Sequence, residues 1–195
     1  MAKAAFLVAC YLLGSLPFGL LIAGIKGIDL RKTGSGNIGA TNVLRSAGKL
    51  AALFTVLGDS LKGAAVIGIA RFLGLGPAWQ AMAGFCAVLG HNFSIFLKLK
   101  GGKGVATSLG VITALSPLSG VFAVAVWLLV AFLTRYSSLA ALLSFAVLPA
   151  ASFFLGASKI AVLTATALAI LIIVRHTGNI KRLIGGDERR IGEKA

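Results

Sequence analysis

The chain has 195 residues, of which 58% are hydrophobic and 12% charged, with a mean hydropathy of +0.97. This composition excludes a water-soluble globular protein and predicts an all-α integral membrane protein, with residues 1–195 forming a single transmembrane domain. The formal net charge of +14, from 19 Lys and Arg against five acids, is read as membrane topology and attraction to anionic lipid, with no nucleic-acid partner expected.

A helix crosses about 30 Å of hydrocarbon with about 20 residues. In chain order the apolar runs are 4–23, 50–75, 77–99, 105–115, 118–133, 139–155 and 160–174, which predicts about seven transmembrane helices, the fourth and fifth short. The fourth run is too short alone, so it and the fifth can instead form a re-entrant hairpin joined near Ser116 and Pro117. One Lys3 precedes the first run, which leads without a small-residue cleavage site into a polar loop, so it reads as a span and not as a signal peptide. Cys10 and Cys86 lie within apolar runs and read as buried small hydrophobes. Lys3, Arg71 and Lys159 fall on one side of these spans and Lys62 inside the second, while the remaining cations, Lys194 among them, fall on the other. Positive charge marks the cytoplasmic face. The N-terminus is therefore expected outside and the C-terminus inside.

Two glycine-rich basic loops, 33–45 and 100–107, interrupt this pattern on the cytoplasmic side. Irregular backbone at a membrane is tolerated where it lies in the headgroup layer, is buried in protein or lines a wet cavity, so both read as parts of a site. The first contains Gly34, Gly36 and Gly39 in a G-x-G-x-x-G spacing, with Asp59 further on. No strand precedes it and Asp59 falls in a span, so the dinucleotide-binding reading fails on context. Its glycines let N–H groups converge on an anion, the side chains of Ser35, Asn37, Thr41 and Asn42 add neutral donors, and Arg45 offers a bidentate fork for phosphate. Residues 39–49 can form a short interfacial helix.

The second loop carries Gly101, Gly102, Lys103 and Gly104. It lacks the Walker A spacing, so nucleotide triphosphate hydrolysis has no support. The three glycines free the backbone to wrap an oxyanion, Lys103 adds charge, and a helix starting at Val105 would add its N-terminal dipole. His91 and Asn92 fall on the last turns of the preceding span. In the tail, His176 ends the last span with Asn179 three residues on, sharing a face if the helix continues, and Glu188 reads as an orienting or salt-bridging residue held charged by basic neighbours. Asp59 and Lys62 are three apart on one helix face and are expected to pair as structural support.

Carboxylates are few and clustered only in the tail, and two histidines without a cysteine cluster do not suit zinc. No metal site and no cofactor is expected. What remains is metal-free transfer, or binding, of phosphate-bearing small molecules at the membrane face.

The motifs together, Gly14-Ser15-Leu16-Pro17-Phe18-Gly19 near the start, then 34–45, 90–107 and 175–188 in order, resemble the bacterial acyl-phosphate:glycerol-3-phosphate acyltransferases, the PlsY family. The resemblance implies a seven-span fold in the cytoplasmic membrane. It also implies transfer of a fatty acyl group from acyl phosphate to the 1-hydroxyl of sn-glycerol 3-phosphate, giving lysophosphatidic acid and phosphate, with no obligate protein partner. By motif, Ser35, Arg45 and Lys103 would hold phosphates, and the backbone of Gly101, Gly102 and Gly104 would line the pocket. His176 and Asn179 would contact the polar substrate, with Glu188 in support. Ser35, Lys103, His176 and Asn179 are the candidate catalytic residues. Gly36, Asn37, Thr41, Asn42, His91 and Asn92 complete the candidate substrate-binding set. The proton of the attacking hydroxyl goes either to His176 or His91 or to the departing phosphate. The alternative from another class is a membrane carrier or binder of phosphate or phosphate esters. Its mark would be paired broken helices at the midplane or inverted repeats.

Overall fold

The computed structural model describes residues 1–193; Lys194, counted above among the one-sided cations, lies outside the described residues. Ten α-helices and one 3-10 turn follow in order: α1 (Ala2–Gly14), α2 (Phe18–Ile25), α3 (Ala40–Ala47), α4 (Lys49–Phe72), α5 (Pro77–Asn92), the 3-10 turn Ile95–Leu97, α6 (Val105–Leu115), α7 (Pro117–Thr134), α8 (Ser137–Phe154), α9 (Lys159–Arg175) and α10 (Thr177–Gly185). No strand occurs among the described residues. Each predicted apolar run becomes helix. Five stretches are long and apolar enough to cross a bilayer: Ala2–Ile25, which joins α1 and α2, Lys49–Phe72, Pro77–Leu97, Pro117–Thr134 and Ser137–Phe154. The α9–α10 pair passes the same test together but bends by 59° between the two helices. With 11 residues, α6 reaches only about 16 Å, roughly half the hydrocarbon thickness. Ser116, in extended backbone, breaks α6 from α7 at the position the sequence marks.

Helices in lipid gain little from hydrophobic association and pack closely where small residues let backbones meet. Two helix pairs use that device reciprocally. A Cβ on Gly14 of α1 would lie 2.0 Å from the Ala87 carbonyl of α5, and one on Gly90 of α5 would lie 2.1 Å from the Tyr11 carbonyl of α1. Likewise Gly63 of α4 meets the Thr107 carbonyl and Gly110 of α6 meets the Ser60 carbonyl, at 2.2 and 2.0 Å. The second pair matters for function, because it fixes the start of α6 beside the polar residues of α4. The main core runs through Ile67, Val88, Val111, Ile112, Phe145, Leu148, Leu168 and Ile172, all fully buried. A smaller cluster of Ala23, Leu30, Val43, Ala47, Ala51 and Ala52 docks α3 against α2 and α4. That cluster anchors the first glycine-rich loop, which otherwise has no core of its own.

Candidate functional site

The first loop is organised by one side chain. Asn42, on the first turn of α3 and 2% exposed, donates from Nδ2 to the carbonyls of Leu30, Thr33 and Asn37 at 3.2, 3.0 and 2.8 Å. Its Oδ1 accepts the Ser35 N–H at 3.0 Å. Although Asn42 lines the main cavity, both N–H donors of its amide are thereby spent on the loop. Asn42 is expected from sequence as a substrate donor; it is instead the knot of the loop. Gly34 and Gly36, at φ +63° and +70°, supply the left-handed turns that let the chain curl around it. Ser35, Asn37, Thr41 and Arg45 line a cavity of about 860 Å³, whereas Gly36 faces a separate cavity beside it. Thr41 reaches α8, its hydroxyl 2.8 Å from that of Ser137. Arg45 donates from Nη2 to the carbonyls of Arg189 and Arg190 at 3.0 and 3.1 Å, tying the tail down. Its Nε is buried with no protein partner among the described residues, an open donor on a cavity-lining residue.

The second loop is strapped by backbone. Gly101 N–H donates to the Asn92 carbonyl at 3.2 Å and Gly102 N–H to the His91 carbonyl at 3.0 Å, so neither is free to wrap an oxyanion as the glycine count suggests. Both glycines are there for space. A Cβ would stand 2.0 Å from the His91 carbonyl at Gly101 and 2.2 Å from His91 Nε2 at Gly102. Their own carbonyls accept from Arg175 Nη2 at 3.4 and 3.0 Å, while the Arg175 guanidinium rests 5.0 Å from the Phe93 ring. Asn92 is fully buried beside Gly104, whose added Cβ would meet its Oδ1 at 2.5 Å, and it does not line the cavity. Its side-chain amide has no hydrogen-bond partner among the described residues, and it holds the loop through its backbone carbonyl alone. Gly104, at φ +83°, caps α6. With Gly104, Val105 and Ala106 at the wall, the first-turn N–H groups of α6 and its dipole favour an anion there.

Lys103 and the tail close the polar end. The Lys103 ammonium donates to Asn179 Oδ1, Asn179 Nδ2 donates to Glu188 Oε1 at 2.6 Å, and Arg182 Nε donates to Glu188 Oε2 at 2.7 Å. Burial pushes Lys103 down to about 8, an effect that Glu188 opposes and that Arg182, Arg175 and Arg45 reinforce. Burial works against the Glu188 charge, but the surrounding donors, Asn179 and Arg182 among them, hold its carboxyl below the usual carboxylate range. His176 sits at the 59° bend between α9 and α10, so the continued helix that would align it with Asn179 does not form. Both reach the cavity wall nevertheless. His176 Nδ1 lies 2.8 Å from the Ile172 carbonyl; a carbonyl only accepts, so Nδ1 carries the proton and Nε2 keeps its lone pair.

Asp59 and His91 reach the same cavity wall as part of a buried ionic cluster. Lys62 Nζ donates to Asp59 Oδ1 at 2.8 Å, to His91 Nδ1 at 2.7 Å and to the Leu16 carbonyl at 3.0 Å, with all three side chains almost fully buried. All three ammonium protons are thereby placed. The pairing of Asp59 with Lys62 is as expected from their spacing. It also consumes the acceptor nitrogen of His91, which cannot then take a proton from substrate.

Below the polar end the cavity continues as an apolar trough between α4, α6 and α7, walled by Leu57, Leu61, Leu109, Val124, Trp127 and Leu128. Leu57, Leu61, Val124 and Leu128 are exposed on the lipid-facing flank, so the trough opens sideways. Several wall residues were not singled out from sequence: Ser137 and Ser138 at the start of α8, and Arg182, Asp187 and Arg189 in the tail. The tail cations were visible only as topological charge, and nothing in the local sequence of α8 points to a site.

The fold and cavity define a multi-pass membrane protein with a cation-rich pocket continuous with a laterally open apolar groove. Residues 4–186 match the family model described as glycerol-3-phosphate acyltransferase. The chain is 52% identical to the glycerol-3-phosphate acyltransferase of Jannaschia sp. (strain CCS1), over 94% of this chain and 90% of the relative. It is 49% identical to that of Sinorhizobium fredii (strain NBRC 101917 / NGR234), again over 94% and 90%. Among solved structures it is similar to PlsY (YgiH), an integral membrane glycerol 3-phosphate acyltransferase. The glycerol 3-phosphate form superposes with a TM-score of 0.92 at 40% identity, covering 98% of this chain and 96% of that one. The lysophosphatidic acid form gives 0.91 at 39% identity over the same shares. The chain belongs to the glycerol-3-phosphate acyltransferase family.

Proposed function

We propose that this acyltransferase takes its acyl group from acyl phosphate and joins it to the 1-hydroxyl of sn-glycerol 3-phosphate, releasing phosphate and leaving lysophosphatidic acid. Family membership gives the acyl transfer to glycerol 3-phosphate. The observation that carries the finer reading is the continuity of one cavity from a cation-rich polar end into a laterally open apolar trough. That shape suits a fatty chain entering from the bilayer with its phosphate held at the end where glycerol 3-phosphate arrives.

Acyl phosphate is a mixed anhydride and needs no enzyme-bound nucleophile. In the proposed step the hydroxyl oxygen bonds to the acyl carbon, the bond from that carbon to the phosphate oxygen breaks, and phosphate departs with the hydroxyl proton. The enzyme then acts by positioning and by charge. Lys103, Arg45 and the α6 N-terminus are the groups we assign to the phosphates, with Ser35 and Asn179 orienting them. His91 is engaged by Lys62, so His176, with a free Nε2, is the one histidine suited to hold or receive the hydroxyl proton. We take the leaving phosphate as the base. His176→Ala should then keep kcat within about tenfold at saturating substrate, whereas a fall of about 10² to 10⁴ would assign the base to His176. The cation asymmetry supports a site on the cytoplasmic face of a bacterial inner membrane.

The test is direct. Purified protein in detergent, given acyl phosphate and labelled glycerol 3-phosphate, should yield labelled lysophosphatidic acid and free phosphate. Product that appears only when coenzyme A or acyl-carrier-protein thioesters are supplied would overturn the donor assignment.

A further inference from the structure

Beside the reacting cavity, and separated from it by the first loop, lies a second cavity of about 530 Å³. Arg31, Lys98 and Lys100 line it, together with Gly36, Ile38 and Phe96, and no carboxylate does. None of the three cations takes part in an ion pair among the described residues. The segment that carries the two lysines is strained. Lys98 and Leu99 are consecutive non-glycine residues at φ +52° and +63°, a left-handed backbone that costs L-residues free energy and persists only where the surroundings enforce it. The enforcing bonds are backbone ones, from Leu99 N–H to the Ser94 carbonyl at 2.8 Å and from Lys100 N–H to the Leu97 carbonyl at 3.0 Å. The same turn exposes apolar side chains. Ile95, Phe96 and Leu99 are 54, 58 and 58% exposed, at the end of a membrane-crossing stretch that finishes at Leu97.

Apolar side chains beside unpaired cations at the end of a span match the layered chemistry of a membrane interface, where acyl carbon gives way to headgroup phosphate. We infer that this second cavity binds the headgroup of an anionic phospholipid of the surrounding bilayer, its phosphate among Arg31, Lys98 and Lys100 and its upper acyl carbons against Ile95, Phe96 and Leu99. A free phosphate ion shares the anionic chemistry but would leave the apolar rim unused. Asn37 lines both cavities, so the bound headgroup abuts the loop that holds Ser35.

Native mass spectrometry of the purified full chain, titrated with phosphatidylglycerol or phosphatidylcholine, tests the assignment. Wild type should retain one phosphatidylglycerol in preference to phosphatidylcholine. Each single change, Arg31→Ala, Lys98→Ala or Lys100→Ala, should weaken phosphatidylglycerol about fivefold, the effect of one cation near an anionic lipid surface, and leave phosphatidylcholine unchanged. Lys100→Arg should keep the preference, which separates loss of charge from loss of fold. Two results would overturn it: a triple alanine variant that binds phosphatidylglycerol like wild type, or displacement of phosphatidylglycerol by millimolar inorganic phosphate, which would make this a site for the free ion.

Discussion

In the first glycine-rich loop the glycines supply backbone conformation, with Gly34 and Gly36 in left-handed turns around the Asn42 amide. In the second, Gly101 and Gly102 have no such dihedrals and instead supply room, lying where a Cβ would strike His91. The first loop is tied by a side chain to backbone, the second by backbone to backbone at the end of α5. Similar composition thus serves different physics. The loop with a conformational need should tolerate modest strain, and the loop with a spatial need should not. The difference also shows in what each loop offers the cavity: the first presents side chains at the wall, whereas the second presents Lys103 and the start of α6.

The largest expected effect falls at the proposed phosphate contact of the second loop. Lys103→Ala should lower kcat/KM by about 10² to 10³, the usual cost of one preorganised charged donor, with the circular-dichroism spectrum unchanged. Steady-state kinetics with acyl phosphate and glycerol 3-phosphate check it, and a drop below tenfold would move the phosphate contact elsewhere. Next comes the spatial role. Gly101→Ala should destabilise the protein by about 1–3 kcal/mol through overpacking against the backbone of α5, read as a lower thermal midpoint in detergent. The knot of the first loop should be comparable but separable: Asn42→Ala leaves three loop carbonyls without their donor and should cost about 1–3 kcal/mol. If Asn42→Ala were as stable as wild type and only raised KM, Asn42 would be a ligand contact after all.

The pH profile divides the two loops again. Lys103, held near 8 by burial, is charged below that value and neutral above it. Phosphate binding by the free enzyme should therefore weaken as pH rises, with kcat/KM falling about tenfold per unit beyond the Lys103 pKa. Lys103→Arg should carry that limb upward, since an arginine keeps its charge; a limb that stayed in place would belong to another group. Smallest is Gly36→Ala, at about 1 kcal/mol for a left-handed alanine whose Cβ meets only the Arg31 carbonyl oxygen, at 3.4 Å, detectable by the same thermal midpoint.

Much of this was legible before any tertiary contact was known. The apolar runs became helices with ends shifted by a few residues, Val105 did open a helix after the second loop, and Asp59 did pair with Lys62. These follow from local rules: hydropathy over a bilayer-length window, and the three-residue spacing that puts side chains on one helix face. The roles of Asn42, Asn92 and His91 were not legible. Whether a polar side chain faces a ligand or neighbouring backbone depends on which carbonyls and charges the fold delivers to it, and those come from elements far apart in sequence.

By itself, then, the sequence determined a membrane protein of helical spans, the location of its glycine-rich basic loops and the family to which it belongs, because composition, periodicity and motif order are properties of the chain alone. Only the tertiary structure decided which donors remain unspent. Backbone contact through Gly63 and Gly110 sets α6 against α4, the bend at His176 turns the tail across the polar end, and the trough between α4, α6 and α7 opens to lipid. Each depends on close approach between separate helices, and in a bilayer, where apolar surfaces gain little from one another, that approach is governed by side-chain size and shape.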